Sequence, residues 1–225
     1  MSQVTRKEGI LMDKMGVEDV IEMFESVAAI FAEKKEELCE MDAAMGDGDL
    51  GLTMNKGYAA LPGLLRDNSA EGDIGKMLAK GGMKMSSVVP STMGTLMSSG
   101  IMGAGKALKG KTELEPADLI TFYRAFADGL AKRGKTQLGD RTILDALDAG
   151  AVKAAEVDPA EGFLAVATAA VEGAKAGVEA TKDMIPKYGK AAVFSAKAKG
   201  VADQGAVAGC YLDTAILNYF QAKNA

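Results

Sequence analysis

The chain has 225 residues, 48% of them hydrophobic and 25% charged, which is enough apolar material for a substantial core beneath a charged surface. Its net charge is −5 and its basic residues are dispersed among acids, a balance that argues against a nucleic-acid partner. It has no histidine, which excludes His-based general acid–base chemistry, a Ser-His-Asp triad and His-ligated zinc.

Met1 to Glu8 lacks the hydrophobic run of a signal peptide. Residues 1–15 are read as a flexible segment, and residues 1–225 as a single domain, because no linker-like stretch interrupts an even composition. Val17, Val20, Ile21, Phe24, Val27, Ala28 and Phe31 recur at helical spacing and predict an amphipathic first helix, whose apolar face Leu38 and Met41 extend. Cys39 and Cys210 belong to no CxxC or zinc pattern and are read as reduced thiols of a cytoplasmic protein.

From Met41 to Gly51 the chain reads Met-Asp-Ala-Ala-Met-Gly-Asp-Gly-Asp-Leu-Gly. Asp47 and Asp49 alternate with Gly46, Gly48 and Gly51, so the backbone can curl and turn both carboxylates inward. Asp42, on the last turn of the preceding helix, can face the same cavity. Three carboxylates at close range repel one another unless a cation holds them, and an all-oxygen set suits a hard ion such as Mg²⁺. An EF-hand fits less well, since Leu50, Leu52 and Met54 stand where such a loop wants oxygen ligands. A helix is predicted from Leu52 to about Leu64, and a helix N-terminus beside the metals favours phosphate groups. The bland competitor is a solvated acidic turn that caps a helix.

Another helix is predicted from Asp73, through Ile74, Met77, Leu78, Gly81 and Met85. The stretch from Met85 to Gly105 has no charge, yet Pro90 and its many serines, threonines and glycines argue against a membrane span. It reads as a packed helix–loop–helix, with small hydroxyl-bearing residues either beside a ligand or simply in a tight small-residue core. Glu115-Pro116 opens a helix through Leu119, Phe122, Tyr123, Phe126 and Leu130. Asp140 is read as the N-cap of a helix carrying Ile143, Leu144 and Leu147. Asp158-Pro159-Ala160-Glu161 reads as the start of a helix reaching Ala180. Between Lys182 and Ala202 five lysines stand against the single acid Asp183, either a solvated basic loop or a lid aimed at phosphoryl oxygens. The last helix runs from about Ala206 to Gln221. With no alternating β-branched runs, the chain reads as about eight helices and no sheet.

Asp42-x4-Asp47-x-Asp49-x-Gly51 followed by Met54-Asn55-Lys56-Gly57 resembles the signature of the nucleotide-binding L subunits of dihydroxyacetone kinases. Three later stretches match in order: Ser87 to Leu96, Gly139 to Asp145, and Tyr188-Gly189-Lys190-Ala191 through Asp203-Gln204-Gly205-Ala206. The resemblance implies an all-α fold, an antiparallel eight-helix barrel with nucleotide at one open end. It implies two Mg²⁺ ions on Asp42, Asp47 and Asp49, with ADP or ATP against Leu50, Gly51, Thr53, Thr92, Met93, Gly134, Ile143, Asp203 and Gly205. Lys197 takes the place of a family arginine and is the catalytic candidate, directed at the terminal phosphate. The implied partner is a K-type subunit that binds the ketose covalently through a histidine, which this chain cannot supply. A phosphotransferase-system phosphoryl donor and a homodimer are compatible with the resemblance; a membrane or nucleic acid is not expected.

Four positions depart from the pattern. Leu50 stands where family members often have histidine, Thr53 for asparagine, Lys197 for arginine, and Gln204 for the proline of an Asp-Pro-Gly turn. Lysine cannot offer the bidentate fork of arginine. The rival functional reading is a regulatory protein that signals its nucleotide state without turnover. Fatty-acid kinases are related, but their Pro-Asp-Gly-Asp-Thr-Gly pattern, with asparagine at the Asp42 position, is missing here.

Overall fold

The computed structural model describes residues 12–193 and 198–225, and in them the chain is built from helices. The first is α1, Val17–Glu33, which buries Val20, Ile21, Phe24, Val27 and Phe31 as its spacing predicts. It stops at Lys34 and resumes directly as α2, Lys35–Ala43, so the apolar face expected to continue through Leu38 and Met41 belongs to a second, redirected helix. Leu38 is buried and Met41 only half-buried.

After the acidic turn comes α3, Leu50–Arg66, which starts two residues earlier than its hydrophobic period suggests. α4, Ile74–Val88, begins at Asp73, whose carboxylate accepts from the Lys76 N–H at 2.9 Å. α5, Thr92–Ala107, follows a short turn through Val89–Ser91, with Ser91 Oγ accepting from the Gly94 N–H. The uncharged stretch is therefore two packed helices and a turn.

α6, Pro116–Gly134, has proline in its first turn and a reciprocal cap between Glu115 and Asp118. α7, Ile143–Ala155, precedes a single 3₁₀ turn, Pro159–Glu161, and then α8, Gly162–Ala180. Asp158 thus caps the short turn, not the long helix, because the chain passes through Gly162 at φ +89° between them. α9 is Gln204–Lys223, capped by Asp203.

The helices form a closed ring. α1 packs on α3, each later helix packs on the next, and α9 returns to α1 while also touching α7. The α1–α2 pair acts as one bent rod, so the expected eight-helix barrel is what the described residues show. One continuous apolar core fills it, from Met15 to Phe220. Stacked rings join neighbouring helices at two points: Phe31 on Tyr58 with centroids 4.8 Å apart, and Phe163 on Phe220 at 5.1 Å. Ahead of α1, Met15 is 1% exposed and exchanges two backbone hydrogen bonds with Leu114, which anchors the end of the leading segment. Among the described residues no helix is long and apolar enough to cross a membrane.

Antiparallel succession has one consequence for function. α3, α5, α7 and α9 all start at the same end of the ring, and the first residues of each line one cavity there.

Candidate functional site

The acidic turn leaves α2 at Ala43 and enters α3 at Leu50. Gly48 sits at φ +76°, a conformation costly for any residue with a Cβ. At Gly46 a Cβ would lie 2.2 Å from Asp42 Oδ1, so only glycine lets the turn pass over that carboxylate. Asp42 itself is 7% exposed. Its Oδ2 accepts from the N–H groups of Asp49 at 3.0 Å and Leu50 at 3.3 Å, serving the open end of α3 as a cap from another helix. Carboxylate oxygens of Asp42, Asp47 and Asp49 all lie within 4.8 Å of one another, with Asp47 and Asp49 exposed to the cavity.

That cavity has a volume of about 950 Å³. Of the residues expected to touch nucleotide, Leu50, Thr53, Thr92, Met93, Gly134, Ile143, Asp203 and Gly205 all line it. Gly51 does not. A Cβ there would stand 1.9 Å from the Lys35 carbonyl oxygen and 2.9 Å from Cys39 Sγ, so its smallness lets α3 close onto α2 beneath the turn. This contact also explains why α3 can begin before Leu52. Lys197 lies outside the described residues.

Asp140 is not a helix cap. The N-cap of α7 is Thr142, whose Oγ1 accepts from the Leu144 N–H while Asp145 answers the Thr142 N–H at 2.7 Å. Asp140 instead clamps the basic loop, accepting from Lys187 Nζ at 2.7 Å, and this ammonium holds the carboxyl below the usual carboxylate range. Among the described residues of the loop, Lys187 here and Lys182 with Glu179 are engaged in ion pairs. Beyond them, Ala191 and Ala198 pack with Met45 in a small apolar cluster, so the loop touches the acidic turn directly.

Sequence reasoning passed over two residues that the structure brings to this site. Arg141 is buried at φ +60°, a left-handed backbone uncommon outside glycine. Its guanidinium donates to the carbonyls of Thr181 at 3.2 Å and Val201 at 3.0 Å, and pairs with Asp203 at 3.4 Å. Both roots of the basic loop are thereby tied to the start of α7. Burial pushes the Asp203 carboxyl up to about 6, opposed by the Ala206 N–H and the Arg141 charge. The second is Gln204, whose amide reaches Asp42 across 162 residues of sequence. The only advance signals were the Arg141 position within a matched motif and glutamine standing where proline is the pattern.

The donor set fits hard divalent cations: three carboxylates, all oxygen, converge on one point with a buried oxygen of Gln204 beside them that has no hydrogen-bond partner. Four helix starts around the same cavity turn the positive ends of their dipoles toward it, which suits a polyanion. Low-polarity surface from Leu50, Met93, Leu96 and Ile143 leaves room for a planar apolar group on the other side.

Comparison with known proteins agrees with this geometry. The DAK2 domain family matches residues 44–218. A bovine (Bos taurus) protein named triokinase/FMN cyclase is 33% identical over 192 residues, covering 85% of this chain and 33% of its own length. The chain therefore spans about one third of that relative. A Listeria innocua protein named as the ADP-binding subunit of a PEP-dependent dihydroxyacetone kinase is 29% identical, covering 87% of this chain and 91% of its own. A crystal structure of the Citrobacter freundii dihydroxyacetone kinase in complex with AMP-PNP and Mg²⁺ superposes with a TM-score of 0.67 at 24% identity, over 97% of this chain and 36% of that one, and shares its fold. The chain belongs to the DAK2 domain family, and the resemblance drawn from its motifs to L-type subunits holds.

Proposed function

We propose that this DAK2 family member is the nucleotide-binding, phosphoryl-transferring part of a kinase for dihydroxyacetone or a related small ketose or triose. The observation that carries the reading is the convergence of Asp42, Asp47 and Asp49 within 4.8 Å at a cavity ringed by four helix starts. In this reading Asp42, Asp47 and Asp49 would hold two Mg²⁺ ions, which would neutralise charge on the phosphates. The chain's own contribution is placement. Asp42 is fixed by two backbone N–H groups, so its carboxylate stands ready before any ligand arrives. The starts of α3 and α5, with Thr53, Ser91 and Thr92, offer donors to phosphate oxygens. Met93, Gly134 and Ile143 form the walls for base and sugar of ADP or ATP, and Asp203 with Gly205 closes the side formed by α9.

No histidine exists in the chain to bind a ketose covalently. A separate K-type subunit is therefore part of the proposal, supplying the acceptor; a phosphotransferase-system protein is compatible as donor, as is a homodimer. Lys197 is proposed to answer the charge that grows on the transferring phosphoryl group. Lys197→Ala should then lower kcat at least about tenfold with nucleotide Kd little changed, since the interaction matters mainly in the transition state. The experiment is turnover: purified protein, ATP, Mg²⁺ and a K-type subunit against a panel of trioses and tetroses. Phosphorylated product is the expected result. Nucleotide binding with no product from any acceptor would favour the regulatory alternative.

A further inference from the structure

Gln204 is the first residue of α9, placed there by the Asp203 cap, whose Oδ2 accepts from the Ala206 N–H at 2.9 Å. Its side chain points into the cavity, and its Nε2 donates to Asp42 Oδ1 at 3.2 Å. That orientation of the amide is dictated by chemistry, because an ionised carboxylate can only accept. The other end of the same amide, Oε1, is buried from solvent and has no hydrogen-bond partner. A buried acceptor left unanswered is costly. The amide is thus held from the Asp42 side alone.

We propose that Gln204 is a positioning residue of the metal site, one that orients Asp42 through Nε2 from the start of α9. This inference rests on the nucleotide and Mg²⁺ reading above and adds a residue that the acidic turn does not contain. Asp42 is then held on both oxygens, Oδ2 by the start of α3 and Oδ1 by the start of α9, with the metal-facing lone pairs left over. Partners of this kind fix ligand orientation, and their loss typically weakens metal binding by about 10–100-fold. The arrangement also links two helices across the mouth of the barrel, so occupancy at the turn is felt at α9.

The position allows a clean test. Proline is well tolerated in the first turn of a helix, where its missing N–H would have no helical partner. Gln204→Pro should therefore fold normally while removing the amide, and Gln204→Met removes it with little change of volume. Mn²⁺ affinity would be measured by electron paramagnetic resonance on the full chain with saturating ADP, alongside the melting temperature without ligand. The expected result is a Mn²⁺ Kd weakened at least about tenfold in both variants, with ADP-free melting temperatures close to wild type. Wild-type Mn²⁺ affinity in both Gln204→Pro and Gln204→Met overturns the inference alone. Failure of the wild-type protein to bind Mn²⁺·ADP overturns the nucleotide reading and this inference with it.

Discussion

Two buried aspartates, one at the mouth of the barrel and one in its interior, live in opposite surroundings. Asp42 is met by two backbone N–H groups and an amide, at a place where helix dipoles and a cavity open to ions favour negative charge. Asp213, on α9, is 1% exposed, and neither of its oxygens has a hydrogen-bond partner. Burial pushes its carboxyl well above the ordinary range, and burial likewise pushes up the phenols of Tyr58 and Tyr123, which also lack partners. At the mouth Asp42 is met by donors on both oxygens, and in the interior Asp213 is met by none.

Substitutions should separate the two regions by sign. Removing Arg141 at the mouth leaves Asp203 buried without its cation, and Arg141→Ala should cost about 3–5 kcal/mol in urea denaturation. A loss under about 1 kcal/mol would mean the pair is a bystander.

Neutralising the interior should act the other way. A carboxyl whose folded pKa is raised keeps its proton where the unfolded chain releases it, so stability is greatest below the unfolded value, near 3.9, and declines as pH rises above it. Asp213→Asn should remove that decline, stabilising the protein more at pH 7 than at pH 4 in urea denaturation. Parallel pH dependence in mutant and wild type would show that Asp213 is ionised in the fold after all.

At the mouth again, Asp42→Ala removes the cap on α3 as well as a metal ligand. The unliganded protein should lose about 1–2 kcal/mol, and ADP with Mg²⁺ should no longer raise its melting temperature. A gain in unliganded stability would indicate that repulsion among the three carboxylates outweighs the cap. Thr142→Ala, at the start of α7, should cost about 1 kcal/mol with nucleotide binding retained.

The helices were readable because each buries a face whose spacing is written locally, as in Val20, Phe24, Val27 and Phe31 of α1. The acidic turn was readable for the same reason: its three carboxylates and two turn glycines fall within a dozen residues. Boundaries set by contact were not. The break at Lys34 and the early start of α3 depend on how Gly51 meets α2, a fact of packing with no local mark. Arg141 joins Asp203 across 62 residues and Gln204 joins Asp42 across 162, so their roles exist only once the ring has closed. Asp140 misled because an acid before an apolar run looks like a cap, while Thr142 two residues later had the better geometry.

The central claim is that the mouth of the barrel binds nucleotide through metal ions on the acidic turn. Isothermal titration of ADP into the protein, with Mg²⁺ and then with EDTA, tests it most directly. The account predicts binding with Mg²⁺, its loss in EDTA, and a weakening of at least about 100-fold, near 2.7 kcal/mol, in Asp47→Asn with Mg²⁺ present. Equal ADP affinity with and without metal, or in Asp47→Asn, would contradict it.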